Sequence, residues 1–428
     1  MQRKTILCPD VPKPIAGSHA VKAGDFVFVG GQIPTDYRTG LVPEARVGRG
    51  ADEPVVASRL QSEAILRNTE KILREAGSSL ELGVRIDQFC THPDAASPYL
   101  EVRTRHIDPR TRPSSTHIQI ESLLVPRALC GLQVIALTEE TSAKKEMVVV
   151  PGLSTSPGPP FKPSPQATTA GDFVFVTGQV ASDFQSGLAA EVRKNPDFWY
   201  GSPIKLQTEY IMKRFESILK ASRSSLRNVV RADVYLTDMK DFHQFEEIWK
   251  NYFPEEPPAR TFIPVKRLGP KDCIVEINMI ALKEGSGLTK ETVHADGVPD
   301  PDVHHPHAVR AGNFVFLSGM YATDFAEGLA PEARTSPGLP WFDSSAKKQT
   351  EYILKNMDAI CGAAGTRLEN VVWMQSFYTD PADFFPASEV WRTRFPKDPP
   401  ALLTGQVQPP HLIEDCTILF DAVAIIDD

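Results

Sequence analysis

With 428 residues and a formal net charge of −8, the chain is long enough for two to four domains, and its acidic balance excludes phosphate-backbone binding as a main task. Six cysteines, at positions 8, 90, 130, 273, 361 and 416, lie far apart without CxxC spacing, which excludes a dense disulfide framework and favours a reducing, cytoplasmic setting. The N-terminus MQRKTILCPDVPKP lacks an apolar signal core and no run approaches the roughly 18 apolar residues of a membrane span, so neither nucleic acid nor membrane is an expected partner.

A unit of roughly 140 residues occurs three times. It opens with AVKAGDFVFVGGQIPTDYRTGL at 20–41, ATTAGDFVFVTGQVASDFQSGL at 167–188 and AVRAGNFVFLSGMYATDFAEGL at 308–329. In each copy an aromatic and β-branched run (26–29, 173–176, 314–317) predicts a buried strand ending at Gly31, Gly178 or Gly319. Asp36, Asp183 and Asp324, each followed by a glycine four residues on, fit turn chemistry better than ligation. Loops bearing Pro, Gly and Trp (198–203, 337–343) lead into amphipathic helices. Ile211, Phe215, Ile218 and Leu219 share one helical face, as do Ile353, Met357, Ile360 and Cys361, and more weakly Ile65, Thr69, Ile72 and Leu73. Strands follow at 84–90, 229–236 and 371–378, then a shorter helix with Asp241 or Asp383 as N-cap, then two closing strands, 261–265 and 274–281 in the second copy. This order predicts an α+β sheet with helices on one face. Linker-like composition at 138–158 and 283–306 divides the chain into units 1–145, 146–290 and 291–428.

The second copy carries a polar pair that the others lack. PPART (257–261) opens one strand and VEINMIA (275–281) forms another, so Arg260 and Glu276 are expected to project toward one place. Arg260 offers a planar fork for a substrate carboxylate, and a shielded Glu276 can activate water as a general base. Their counterparts are Ser115 and Gly131 in the first copy and Leu402 and Leu419 in the third. A salt bridge needed by every unit would recur, whereas one retained site explains the joint loss.

On these segments the second copy resembles the YjgF-like, or RidA, family of reactive enamine/imine deaminases. GDFVFVTGQV, the helix containing LQTEYI, NVVRADVYLTD, PPART and VEINMIA stand in that family's order; residues 307–426 resemble it clearly and 20–137 more loosely. The resemblance implies a chorismate-mutase-like fold, a mixed sheet with two helices on one face, assembled as a trimer around a central barrel with ligand sites between subunits. Three tandem copies then form an intramolecular pseudo-trimer with three unlike clefts. It further implies that Arg260 binds a carboxylate, Glu276 positions the hydrolytic water, Gly178 lines the pocket and Thr261 follows the Arg as a small hydroxyl residue. Departures fall at Ser164, where the family has a pocket Tyr (Gly17 and His305 in the other copies), at Phe262, often Cys (His117 in the first copy), and at Glu246, otherwise Asn. The implied activity is hydrolysis of a C=N or related C–N bond in a small anionic metabolite, in the breakdown of a nitrogen compound, with no metal or organic cofactor. Non-catalytic metabolite binding or regulation and chorismatase-like chemistry stand as alternatives.

Among other candidates, His304, His305 and His307 fit a loop better than a metal site. Arg103, Arg105, His106, Arg110, Arg112 and His117 make the first copy locally basic, as a solvated insertion or an anion-binding rim of one cleft. Glu44, Glu191 and Glu332, each two residues before an Arg, recur in every copy and read as loop anchors or structural ion pairs. Cys273 and Cys416 read as buried core. The expected partner is a small molecule, and further association of pseudo-trimers is compatible with the pattern.

Overall fold

The computed structural model describes all residues except 49, 51–52, 157–163, 196, 198–200, 302, 340–341 and 428. The Trp-bearing loops at 198–203 and 337–343 therefore lie partly outside the described residues. Repeat 1 contains β1 (Arg3–Ile6), β2 (Ala20–Ala23), β3 (Phe26–Gln32), α1 (Glu53–Glu75), β4 (Gly83–Cys90), α2 (Ala96–His106), β5 (Ser114–Gln119), β6 (Ser122–Leu123) and β7 (Cys130–Leu137). Repeat 2 contains β8 (Lys145–Val148), β9 (Ala167–Ala170), β10 (Phe173–Val180), α3 (Pro203–Ala221), β11 (Val229–Leu236), α4 (Phe242–Tyr252), β12 (Ala259–Pro264), β13 (Arg267–Leu268) and β14 (Val275–Leu282). Repeat 3 contains β15 (Lys290–Val293), β16 (Ala308–Ala311), β17 (Phe314–Leu317), α5 (Ser345–Ala363), β18 (Val371–Tyr378), α6 (Phe384–Arg394), β19 (Ala401–Gln406) and β20 (Ile418–Ile425). The fold is α+β, three tandem units each with a mixed sheet and two helices.

The sheet of repeat 2 runs β12-β11-β14-β10-β9-β8, with β11 and β12 parallel and the other pairs antiparallel. Alternation along its strands sends one face to the helices: Ile211, Phe215, Ile218 and Leu219 of α3 pack with Val174, Val176, Val234, Ile277 and Met279. Each such side chain contributes about 1.5–3 kcal/mol on full burial, which is why the stripe survives in all three copies. The opposite face turns toward the pseudo-threefold axis. There Phe26, Phe173 and Phe314 meet edge to face, with ring centroids 6.0, 5.5 and 5.9 Å apart.

Deeper in the barrel lies a buried polar ring that departs from threefold symmetry. Asp87 pairs across with Gln133, Asp233 with Asn278 and Gln375 with Asp421. Arg85 bonds Asp87 at 2.8 Å and Asp233 at 2.7 Å, and Arg231 reaches Asp233 and Asp421, each at 2.9 Å. Repeat 3 has Trp373 where the others have Arg, and Arg231 lies 4.9 Å from its ring. The units are also stitched by backbone pairing, since β13 of repeat 2 pairs with β5 and β6 of repeat 1 pairs with β19.

The recurrent loop residues have structural tasks. Asp36, Asp183 and Asp324 accept hydrogen bonds from backbone N–H groups two and three residues on. Arg46, Arg193 and Arg334 donate to the carbonyls of Leu41, Leu188 and Leu329 at 2.7, 2.9 and 2.9 Å, so the recurring E-x-R element anchors a loop through its Arg. Asp241 and Asp383 hold the N-cap positions of α4 and α6 but do not cap with their side chains. A 3-10 turn precedes each helix and moves the unpaired N–H groups upstream, where Asp238 and Asp380 accept from Lys240 and Ala382.

Candidate functional site

The strand order decides where the polar pair of repeat 2 points. β12 and β14 are not neighbours, because β11 lies between them; Arg260 pairs with Ala232 on one side of it and Glu276 with Tyr235 on the other. The two side chains consequently serve different clefts, and the expectation that they share one is corrected.

Arg260 faces repeat 3. Its N–H donates to Ser318 Oγ at 3.1 Å and its carbonyl accepts from the Gly319 N–H at 3.0 Å. Its guanidinium is ion-paired with Glu246 and boxed by the rings of Phe262 at 4.5 Å, Trp249 at 4.7 Å and Phe245 at 5.9 Å. Burial draws its pKa down to about 10 despite the Glu246 carboxylate. Thr261 presses its methyl toward Gly319 and offers its hydroxyl to Asp421. The counterpart of Glu276 across this junction is the buried Leu419. Arg260, 1% exposed, fills its side of the junction with repeat 3, and the small opening of about 10 Å³ beside His305 and Gly319 is lined by repeat 3 residues. The junction of repeats 3 and 1 is equally closed, with about 20 Å³ lined by Ile15, Leu124 and Leu402.

The junction of repeats 1 and 2 is open, with a cavity of about 650 Å³. From repeat 2 come Glu276, Gly178, Thr177 and Ser164; from repeat 1 come Arg103, Ser115 and His117. A Cβ on Gly178 would overlap the Glu276 carboxylate, so the glycine is what lets that side chain lie across the floor. The His117 backbone N–H donates to the same carboxylate. Arg103 donates to Ser115 Oγ at 2.9 Å and to Ser164 Oγ at 3.3 Å, bridging the two repeats.

Of the basic cluster expected as a solvated insertion or an anion-binding rim, Arg103, Arg105 and His117 line this cavity, and comparison of equivalent strand positions passes over Arg103. The helices α2, α4 and α6 begin at Ala96, Phe242 and Phe384, which aligns Arg103 with Trp249 and Trp391. Repeat 1 thus exchanges the strand Arg for Ser115 and the helix Trp for Arg103, moving a guanidinium from sheet to helix. The exchange, Ser gained at one position and Arg at the other, is visible in the sequence once the two elements are read together.

The electrostatics of the floor follow from its enclosure. Burial, with a smaller contribution from Asp87, raises the Glu276 pKa to about 8, although the His117 amide opposes it. Burial and then the Arg103 charge lower His117 to about 4, and its Nδ1 is shielded without a partner. Near neutral pH the floor therefore holds a protonated carboxyl and a neutral imidazole beside a guanidinium. The arrangement can bind an anion and move a proton at Glu276.

His307 accepts from the Ala295 N–H at 3.0 Å through Nδ1 and meets Pro299 O at 3.0 Å through Nε2. His19 does the same with Cys8 and Pro12, both at 2.9 Å. Both ring nitrogens of His307 are thus occupied, and its proximity to His294 and Asp300 does not make a metal centre. All six cysteines are free and buried, and no helix among the described residues is long and apolar enough to cross a membrane.

The fold is that of three tandem α+β units, and sequence comparison gives the family. The family model described as Endoribonuclease L-PSP matches residues 10–138, 157–283 and 297–426, and the chain belongs to that family, the group of RutC and RidA proteins, as three tandem copies. A RutC family protein of Pyrococcus horikoshii is 40% identical over 125 residues, 29% of this chain and 90% of the relative. The chloroplastic Reactive Intermediate Deaminase A of Arabidopsis thaliana is 34% identical over 142 residues, 33% of this chain and 67% of that protein. Among solved structures, yeast Mmf1 matches at 29% identity and a TM-score of 0.26, covering 33% of this chain and 100% of its own. A chorismatase matches at 12% identity and a TM-score of 0.47, over 80% of this chain and 93% of its own.

Proposed function

We propose that the chain hydrolyses a C=N bond of a small anionic metabolite in the cleft between repeats 1 and 2. The observation that carries this reading is the meeting of Arg103 and Glu276, whose pKa burial raises to about 8, in the 650 Å³ cavity. The likeness to a protein named Reactive Intermediate Deaminase A supports the same reaction class.

Arg103 holds the substrate carboxylate through its fork, with Ser115 and Ser164 fixing its orientation. The Glu276 carboxyl donates its proton to the imine nitrogen, which makes the carbon electrophilic. The resulting carboxylate removes a proton from water as the oxygen bonds to that carbon, giving a neutral carbinolamine. Glu276 then protonates the amino group, the C–N bond breaks with release of ammonia, and the carboxylate takes the proton left on the new carbonyl. One imine and one water become one carbonyl compound and one ammonia, and Glu276 ends protonated. Its pKa near 8 lets it both give and take the proton at neutral pH.

The test is turnover of the imino acids released in situ from L-alanine and L-phenylalanine by an amino acid oxidase. Arg103→Ala and Glu276→Gln should each lower kcat/KM by about 100-fold or more. Unchanged turnover in both variants would refute the assignment.

A further inference from the structure

The proposed chemistry occupies only the floor of the cavity. Its 650 Å³ matches sites for drug-sized ligands, about 300–1,000 Å³, and exceeds what an imino acid with a methyl side chain needs. Above the floor, charged side chains and hydroxyl ones such as Ser97, Thr104 and Ser182 alternate with an apolar part of the wall: Leu100 from α2 of repeat 1, and Val180, Phe184 and Pro270 from repeat 2. Phe184 stands in a left-handed turn at φ 58° that also holds Tyr37 and Phe325, so an aromatic residue there belongs to the scaffold of every repeat. Leu100 is particular to this cleft. It occupies the helix position of Glu246 and Ser388, one turn before Arg103, and places an alkyl side chain where the Arg260 cleft has a carboxylate.

Charge narrows the ligand further. At the rim, Glu101 is ion-paired with Arg59 at 2.9 Å and Arg105 lies 3.5 Å from Glu63. Among the described lining residues, Arg103 is the cation whose polar contacts are hydroxyls rather than a carboxylate. The Arg103 guanidinium suits one carboxylate, and the other lining cation, Arg105, lies at the rim against Glu63.

Resting on the reading of this cleft as a hydrolase site, we infer that its substrate is a monocarboxylate whose C=N carbon bears an aryl or branched alkyl arm, with the arm packed on Leu100 and Phe184. Small imino acids and dicarboxylates are poor fits.

Calorimetric titration of the full chain with unreactive carboxylates tests this apart from turnover. 3-Phenylpropionate should bind once per chain and at least about tenfold more tightly than propionate, with 4-methylpentanoate between them and glutarate weakest. Leu100→Glu, which introduces the residue of the Arg260 cleft, and Phe184→Ala should each shrink the ratio between 3-phenylpropionate and propionate. Equal affinities, tighter binding of glutarate, or no binding by any of the four overturns the inference. Turnover of imino acids released from L-alanine and L-phenylalanine is measured in parallel. Absent turnover with the binding order intact refutes the hydrolase and leaves the ligand skeleton standing; turnover of both imino acids with flat affinities does the reverse.

Discussion

Arg103, on α2 of repeat 1, and Glu276, on β14 of repeat 2, line one cavity, while Arg260 shares a repeat with Glu276 and faces the other way. The two arginines should therefore fail differently when replaced. Arg103→Ala should raise KM for an anionic substrate and, since it loses hydroxyl contacts and strands no buried charge, lower the melting temperature less than replacing Arg260 does. Arg260→Met strands the Glu246 carboxylate, 6% exposed, in an aromatic box and should cost roughly 3–5 kcal/mol of stability. Adding Glu246→Leu should recover most of that loss, because the unpaired charge is gone. Thermal unfolding of the single and double variants, with kcat/KM measured where each is folded, separates the two roles.

The pH profile should bear the mark of Glu276. The first step consumes its proton, so kcat/KM should fall as pH rises through about 8. An activity that climbs steadily through that range would mean the carboxylate, not the acid, begins the reaction.

The same carboxyl links stability to pH. Its folded pKa is about 8, above the ordinary 4.5, so the folded state holds a proton that the unfolded chain releases. Stability is then fullest below about pH 4.5 and is lost progressively as pH rises toward 8. Glu276→Gln has no charge to bury and keeps an acceptor for the His117 amide. Its advantage in urea unfolding should be near zero at pH 4 and on the order of 3 kcal/mol at pH 7.

Gly178→Ala should inactivate without unfolding. The added methyl overlaps the Glu276 carboxylate, the movable end of a side chain, and the carboxyl must leave the floor. A displacement of about 1 Å can cost 100-fold in rate, so a comparable loss in kcat with a melting temperature within a few degrees is expected. Near-parental kcat would show that the carboxyl position is not critical.

Periodicity made the architecture legible. The stripes of Ile211, Phe215, Ile218 and Leu219 and their counterparts are all buried, and β11 and β18 have the expected bounds, because helix and strand periods are local properties. The site was only half legible. Glu276, Gly178 and Ser164 meet in the cavity, but Arg260, Thr261, Phe262 and Glu246 belong to the closed junction with repeat 3. The reason is topological. A cleft takes its Arg position from one repeat and its Glu position from the next, so the residues that face each other are Ser115 with Glu276, Arg260 with Leu419 and Leu402 with Gly131. Comparing whole copies pairs Arg260 with Glu276, which β11 holds apart.

That diagonal arrangement has a consequence for assembly. Three separate copies of repeat 1 would set Gly131 opposite Arg103, and three of repeat 2 would close each Glu276 behind an Arg260–Glu246 plug. Neither homotrimer would set Arg103 opposite Glu276. Holding unlike neighbours in one chain sets Arg103 opposite Glu276 at one junction and gives the other two different walls.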